Sequence, residues 1–341
     1  MIKYIDIREF SRLWNIYPVV DVRSPQEYQK GHIPGAHHLP LLEDEERALV
    51  GTKYVKSGRF ASVQLGLELV GPKLSGWLRT ASDLSGGGPI LLHCWRGGLR
   101  SSSMAWLLDL AGMDVYTLQG GYKAYRHYIR QEFSTPFRLI VLAGRTGSGK
   151  TEILQAIGRM GHQVIDLEQI AHHRGSVFGG LGMQSQPTNE QYENDLYQQW
   201  QALDPAKPVW IEDESLSVGK VSIPQPLFDQ MMTSQLIEVE MDIGLRVARL
   251  VREYSSYPAE ELVSCLMRIE KRLGTDTARK AANAIRIGEF EAASSMLLEY
   301  YDKAYDLSIQ KRTGQVSGTH LHLSCDDPEK NAHTVLNSIY L

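Results

Sequence analysis

Cys94 lies at the end of an apolar run and opens the loop Cys94-Trp95-Arg96-Gly97-Gly98-Leu99-Arg100. A cysteine attacks through its thiolate, which nearby cations and the backbone N–H groups of a helix N-terminus favour. Arg96 and Arg100 supply the cations, and Gly97-Gly98 let the backbone curl into a ring of N–H donors suited to an anion. A buried structural thiol is the plainer explanation of an isolated cysteine, but the density of glycine and arginine here argues for chemistry. For Cys265, within a helical stretch, and Cys325, near the C-terminal end, the plainer explanation stands.

A second loop, Gly144-Arg145-Thr146-Gly147-Ser148-Gly149-Lys150-Thr151, matches the phosphate-binding pattern G-x-x-x-x-G-K-[ST] in full. Its amides should wrap a di- or triphosphate, Lys150 should neutralise the distal phosphate, and the Thr151 hydroxyl is placed to hold Mg2+. The apolar run Val209-Trp210-Ile211 ends in Glu212-Asp213-Glu214-Ser215. Glu212 or Asp213 is the candidate for contact with Mg2+, a solvated strand end being the alternative. His172 and His173 are adjacent and cannot share a helical face, so no dedicated metal cage is expected. The glycine- and amide-rich stretch after them, Ser176 to Thr188, reads as a polar loop facing a substrate.

Elements must place these groups. Pro18–Arg23, Pro89–His93 and Val115–Leu118 read as short strands, with helices over Ser101 to Leu110 and after Gly120-Gly121 to about Gln131. Ser24, Pro25 and Glu27 have the capping pattern of a helix start. Ser134-Thr135-Pro136 reads as a linker, giving domains at 1–133 and 137–341. Phe137–Ala143 is a buried-type strand feeding the phosphate loop, and further strands are expected at 163–166, 209–212, 237–241 and His320–Ser324. Between about 245 and 312 the pattern turns to long helical segments. Strand–helix alternation predicts an α/β fold, with parallel sheets covered on both faces.

Composition narrows the class. The 341 residues are enough for two cored domains, and 43% are hydrophobic, as in ordinary globular protein. No apolar run approaches the ~18 residues of a membrane span, and the N-terminus lacks the pattern of a signal peptide. Three scattered cysteines make neither a disulfide framework nor a zinc site, so a reducing, cytoplasmic setting is expected. The net charge of −4 does not advertise a nucleic-acid binder. Residues 245–290 are nonetheless locally basic, with Arg268, Lys271, Arg272, Arg279, Lys280 and Arg286 recurring at helical spacing. A solvated helix face explains them on charge alone; contact with an RNA backbone is the alternative.

The motif Asp21-Val22-Arg23-Ser24-Pro25-Gln26-Glu27-Tyr28, followed by Gly31-His32-Ile33-Pro34-Gly35-Ala36, resembles the N-terminal signature of rhodanese domains. With five residues between Cys94 and Arg100, the thiol loop is one residue longer than is usual there and matches the spacing of cysteine-dependent phosphatases. It is wide enough for a tetrahedral anion such as phosphate or selenophosphate. Taken with Gly144–Thr151, Phe178-Gly179-Gly180-Leu181-Gly182, Gln186-Pro187-Thr188 and Trp210–Ser215, the whole chain resembles the tRNA 2-selenouridine synthase family. The resemblance implies a rhodanese-like parallel-sheet domain and a P-loop NTPase-like α/β domain with a helical subdomain. It implies geranylation of the wobble 2-thiouridine in tRNAs for lysine, glutamate and glutamine by geranyl diphosphate, then exchange of sulfur for selenium from selenophosphate. Cys94, Arg96 and Arg100 would serve selenium, the phosphate loop would hold the diphosphate, and an enzyme supplying selenophosphate would be a partner.

Two other readings fit the same loops. One is a sulfurtransferase or cysteine-dependent phosphatase fused to a nucleotide kinase-like domain, which an aryl-phosphate assay would expose. The other is a nucleotide-dependent regulatory switch, which would require tight nucleotide binding and a conformational response.

Overall fold

A computed structural model describes residues 1–313 and 318–339. The chain divides into two units, Met1–Glu132 and Phe133–Leu341. In the first, the strands are β1 (Ile2–Ile5), β2 (Val19–Asp21), β3 (His37–His38), β4 (Ile90–His93) and β5 (Val115–Leu118). They form a parallel sheet in the order β1-β5-β4-β2-β3. Its helices are α1 (Ile7–Leu13), α2 (Pro25–Lys30), α3 (Asp44–Val70), α4 (Leu74–Ser85), α5 (Leu99–Leu110) and α6 (Gly121–Glu132). The central strand β4 is buried along its whole length, which explains its unbroken apolar character. Val20, Val22, Ile90, Leu92, Met104 and Leu108 form the core around it.

The second unit has a five-stranded parallel sheet and a short hairpin. Its strands are β6 (Leu139–Gly144), β7 (Gln163–Ile165), β8 (Val209–Glu212), β9 (Ser217–Val218), β10 (Val221–Ser222), β11 (Gln235–Met241) and β12 (Gly318–Leu323). The sheet order is β12-β11-β6-β8-β7, and β9 pairs antiparallel with β10. Around the sheet lie α7 (Lys150–Arg159), α8 (Leu167–Ala171), α9 (Asn189–Trp200), α10 (Gln225–Thr233), α11 (Ile243–Tyr254) and α16 (Pro328–Asn337). A helical subdomain of α12 (Ala259–Met267), α13 (Glu270–Leu273), α14 (Thr275–Arg286) and α15 (Phe290–Thr313) has its own apolar core, including Leu262, Leu266, Ala281, Ile285 and Leu297.

In both sheets the central strand has neighbours reached by crossovers in opposite directions. β4 lies between β5 and β2, and β6 lies between β11 and β8. Such a switch point opens a crevice at the carboxyl end of the strand, and each sequence-predicted loop begins there. The parallel α/β class and most strands appear as expected. The helix after Cys94 begins at Leu99, two residues earlier than the reading from Ser101. The expected long helical region is interrupted at Pro258 and at Gly274 and Gly288, whose φ of 91° and 82° no helix accommodates. The 27-residue α3 was not anticipated; a non-helical Gly58 (φ 78°, ψ −178°) kinks it.

Candidate active site

The thiol loop is strapped to the start of α6. The Tyr122 N–H donates to Cys94 O over 2.8 Å, and the Lys123 N–H to Trp95 O over 3.0 Å. Glycine is required on both sides of this contact. A Cβ on Gly97 (φ 65°) would lie 2.7 Å from Leu118 O, and one on Gly121 (φ 58°) 2.3 Å from Cys94 O. Cys94 is 3% exposed, with Sγ 3.2 Å from Ser101 Oγ on the first turn of α5.

The two arginines of this loop do different things. Arg96 is exposed. Arg100 is half-buried and ion-paired with Glu27, while the Asp21 charge acts on it at longer range. Arg100 thus reaches the loop with its charge shared with Glu27. Glu27 also accepts the Ser24 N–H (3.2 Å) and pairs with Arg47 of α3 (3.2 Å). It was read from sequence only as a helix cap; its second role depends on a loop far along the chain.

Beneath the loop, Arg23 and Asp21 are fully buried and joined by three side-chain hydrogen bonds of 2.6–3.0 Å. Arg23 also donates to Gly31 O (2.7 Å) and stacks 3.7 Å from the centre of the Tyr122 ring. Burial pushes Asp21 up, yet the charges facing it outweigh this and hold its carboxyl below the usual range. Burial lowers His93 to about 4, against the upward pull of Asp21, so its imidazole is neutral near pH 7.

In the second unit the phosphate loop is built as the motif demands. Gly144 ends β6 where a Cβ would sit 2.7 Å from Val239 O, and Gly147 and Gly149 have φ of 80° and 77°. Lys150 Nζ donates to Gly144 O (2.9 Å), folding over its own loop. Arg145 is paired with Asp306 (2.8 Å), and Arg246 binds both Thr146 O (2.8 Å) and Asp302. A Cβ on Gly149 would lie 3.1 Å from Arg249, so that guanidinium covers the loop.

Two carboxylates reach Thr151, and a third stands beside them. The Thr151 Oγ1 lies 3.0 Å from Glu168 Oε2 and 3.1 Å from Glu212 Oε1, and one hydroxyl proton serves one of them at a time. Glu168, Glu212 and Glu214 each bring an oxygen within 4.8 Å of the others. Burial, then mutual repulsion, raises Glu168 and Glu214 to about 8 and Glu212 well above its ordinary value. A hard divalent cation would relieve that repulsion, and four oxygen donors suit it. Of the two sequence candidates, Glu212 belongs to this cluster and Asp213 does not. Asp213, just past the end of β8, lines the same cavity without joining the three clustered oxygens. Glu168 was missed because its position shows only once β7 is paired with β8.

A cavity of about 870 Å³ extends from this polar end. Past the loop and the carboxylates, Phe178, Leu262, Ile285, Phe290, Ala293 and Leu297 form an apolar side of its lining, with Arg174, Ser176, Glu253, Tyr254 and Tyr301 among the polar residues. Residues 290, 293, 294, 297, 301 and 305 lie along one face of α15, whose Asp302 and Asp306 hold the arginines beside the phosphate loop. Of the expected substrate-facing loop Ser176–Thr188, Ser176 and Phe178 line the cavity, with Arg174 and Gly175 just before it.

The basic positions of the helical subdomain divide. Arg279 and Lys280 both pair with Asp276, and Arg286 pairs with Glu260, as on a solvated helix face. Arg268, Lys271 and Arg272 are exposed and make no ion pair among the described residues. No described helix is long and apolar enough to cross a membrane.

A parallel sheet with a thiol loop after its central strand, followed by one with a phosphate loop in the same place, defines a rhodanese-like domain joined to a P-loop-type α/β domain. Residues 7–128 match the family model described as rhodanese-like domain, and residues 137–325 match that of the tRNA 2-selenouridine synthase AAA domain. The chain belongs to the tRNA 2-selenouridine synthase family. It is 36% identical over 334 residues to the tRNA 2-selenouridine synthase of Hydrogenovibrio crunogenus, covering 86% of this chain and 90% of that one. Identity to the Shewanella piezotolerans protein of the same name is 33% over 366 residues, covering 94% and 97%. With the Nitrosomonas europaea protein of that name it is 39% over 250 residues, covering 70% of this chain and 63% of the relative.

Proposed function

We propose that the protein replaces the 2-thio sulfur of the wobble uridine in tRNAs for lysine, glutamate and glutamine by selenium, in two steps. Geranyl diphosphate first activates the base, and selenophosphate then supplies selenium. The observation that carries this reading is the cavity of about 870 Å³ running from the phosphate loop into an apolar chamber. Phe178, Leu262, Ile285, Phe290 and Leu297 give that chamber an apolar side against which an isoprenoid tail packs. An isoprenoid tail is stabilised there by about 25 cal/mol for each Å² of apolar surface removed from water.

In the first step the thiocarbonyl sulfur attacks C1 of the geranyl group, and the C–O bond to diphosphate breaks. Pyrophosphate leaves with the electron pair. The loop amides and Lys150 neutralise the charge developing on it. Thr151, Glu168, Glu212 and Glu214 would hold a divalent cation, which when bound adds to that neutralisation. Alkylation converts a poor leaving group into one that departs as a thiolate.

In the second step Cys94, Arg96 and the loop amides bind and position the selenium donor, with Arg100 tying the loop to Glu27. Selenium adds to C2 of the base, geranylthiolate leaves, and water cleaves the P–Se bond to release phosphate. Nucleoside mass spectrometry of thiolated tRNA tests the scheme, adding geranyl diphosphate and selenophosphate separately and together. Geranyl diphosphate alone should give S-geranyl nucleoside, and both together 2-selenouridine. Obligatory nucleotide turnover, with no effect of geranyl diphosphate, would reject it.

A further inference from the structure

From Arg47 to Leu67, α3 carries four cations (Arg47, Lys53, Lys56 and Arg59) and no acidic residue. Every residue from Gly51 to Phe60 is exposed. Interleaved with the cations are Tyr54, Val55 and Phe60, which are 57%, 84% and 84% exposed. Lys53, Lys56 and Arg59 make no ion pair among the described residues.

The backbone is shaped to show this set. Gly58 has φ 78° and ψ −178° inside the helix, a conformation open essentially to glycine alone, although a Cβ there would meet nothing within 4 Å. Glycine is thus needed for the bend and not for space, and the bend separates Tyr54 and Lys56 from Arg59 and Phe60 on two helical segments. The near end of α3 is fixed to the thiol loop. Arg47 and Arg100 share the Glu27 carboxylate, and Asp44 accepts the Gln26 N–H (3.1 Å). Tyr54 lies seven residues beyond Arg47, about 10 Å along the axis at ~1.5 Å per residue.

Long cations without counter-charges, alternating with exposed ring faces, match a single-stranded nucleic acid. Phosphates meet the cations, and unstacked bases lie on the rings. A protein partner fits less well, since the centres of such interfaces are depleted of lysine. We propose that the Arg47–Leu67 stretch of α3 receives a single-stranded RNA loop, the anticodon loop of the tRNA substrate, and presents its bases to the Cys94 loop. Lys53, Lys56 and Arg59 contact phosphates, and Tyr54 and Phe60 stack on bases. The proposal rests on the reading of tRNA as substrate.

The test is tRNA binding by the full-length protein, measured by fluorescence anisotropy across a salt series. Replacing Lys53, Lys56 and Arg59 together by alanine should weaken binding and lower the slope of log K against log salt by about 2, at ~0.7 per single-strand contact. Tyr54→Ala and Phe60→Ala should each weaken binding about 5- to 100-fold with the slope unchanged. An isolated anticodon stem-loop should compete in the wild type and lose that ability in the variants. The side chains replaced are solvent-facing, and unchanged melting temperatures will show that the fold survives. Wild-type affinity and slope in all the variants, with tRNA bound by the parent, would overturn the proposal. So would loss of self-association in Phe60→Ala without loss of RNA binding. A parent protein that binds no tRNA at any salt concentration would instead sink the substrate reading beneath it.

Discussion

Arg100 and Glu27, seventy-three residues apart in sequence, meet as an ion pair beside the thiol loop. The same carboxylate receives Arg47 from α3 and caps α2 through the Ser24 N–H, so one side chain joins three elements. Glu27→Gln keeps the shape and removes the charge. Selenation of geranylated tRNA should fall about tenfold, as expected when a loop loses a fixing contact, while geranylation is unchanged. Separate assays of the two steps decide this; equal losses in both would count against a role confined to the Cys94 loop.

Cys94→Ala removes the thiol and leaves a small buried side chain in its place. Selenation should be abolished, and S-geranyl nucleoside should accumulate when both co-substrates are present. Mass spectrometry reads both products at once. A variant that still makes 2-selenouridine at the parent rate would dismiss Cys94 from the second step.

Ala293 lines the apolar part of the cavity from α15, nine residues before Asp302, or about 13 Å along the helix at ~1.5 Å per residue. Ala293→Trp should fill the chamber and weaken geranyl diphosphate at least tenfold, while inorganic pyrophosphate binds as before. Calorimetric titration with each ligand makes the comparison. Equal weakening of the two would point to a distorted phosphate loop, and no weakening of either would place the tail elsewhere.

His93 is buried with its pKa lowered from 6.5 to about 4. Between those values the unfolded chain binds a proton that the folded chain does not, so stability is full above pH 6.5 and falls as the pH drops towards 4. The shift corresponds to about 3 kcal/mol over that window. His93→Gln cannot titrate, and its melting temperature should fall less than that of the parent between pH 7 and 4. Parallel curves for the two proteins would contradict this assignment; Asp21, whose pKa is lowered, acts at still lower pH in the parent.

Much of the molecule was legible along the chain because the signals are local. β4 and β6 read as buried strands since both faces of a central parallel strand are covered, which leaves no polar alternation. The two loops were visible because their glycines meet requirements of the backbone, as the positive φ values of Gly97, Gly147 and Gly149 bear out. The start of α2 followed from Ser24, Pro25 and Glu27, whose capping pattern needs only four consecutive residues.

What joins distant segments was not legible. Glu168 meets Glu212 and Glu214 because β7 pairs with β8. The apolar chamber draws on α12, α14 and α15, helices whose lining residues look from sequence like any buried face. The pairing of Arg100 with Glu27 arises only when the fold brings α2 against α5. Sequence by itself determined the parallel α/β class and where each loop turns, since short-range sterics and hydrophobic period dictate both. Only tertiary structure decided which carboxylates cluster beside Thr151, which arginine pairs with Glu27, and that the phosphate loop opens onto a cavity with an apolar side. Those outcomes depend on distances across the fold, and no spacing along the chain encodes them.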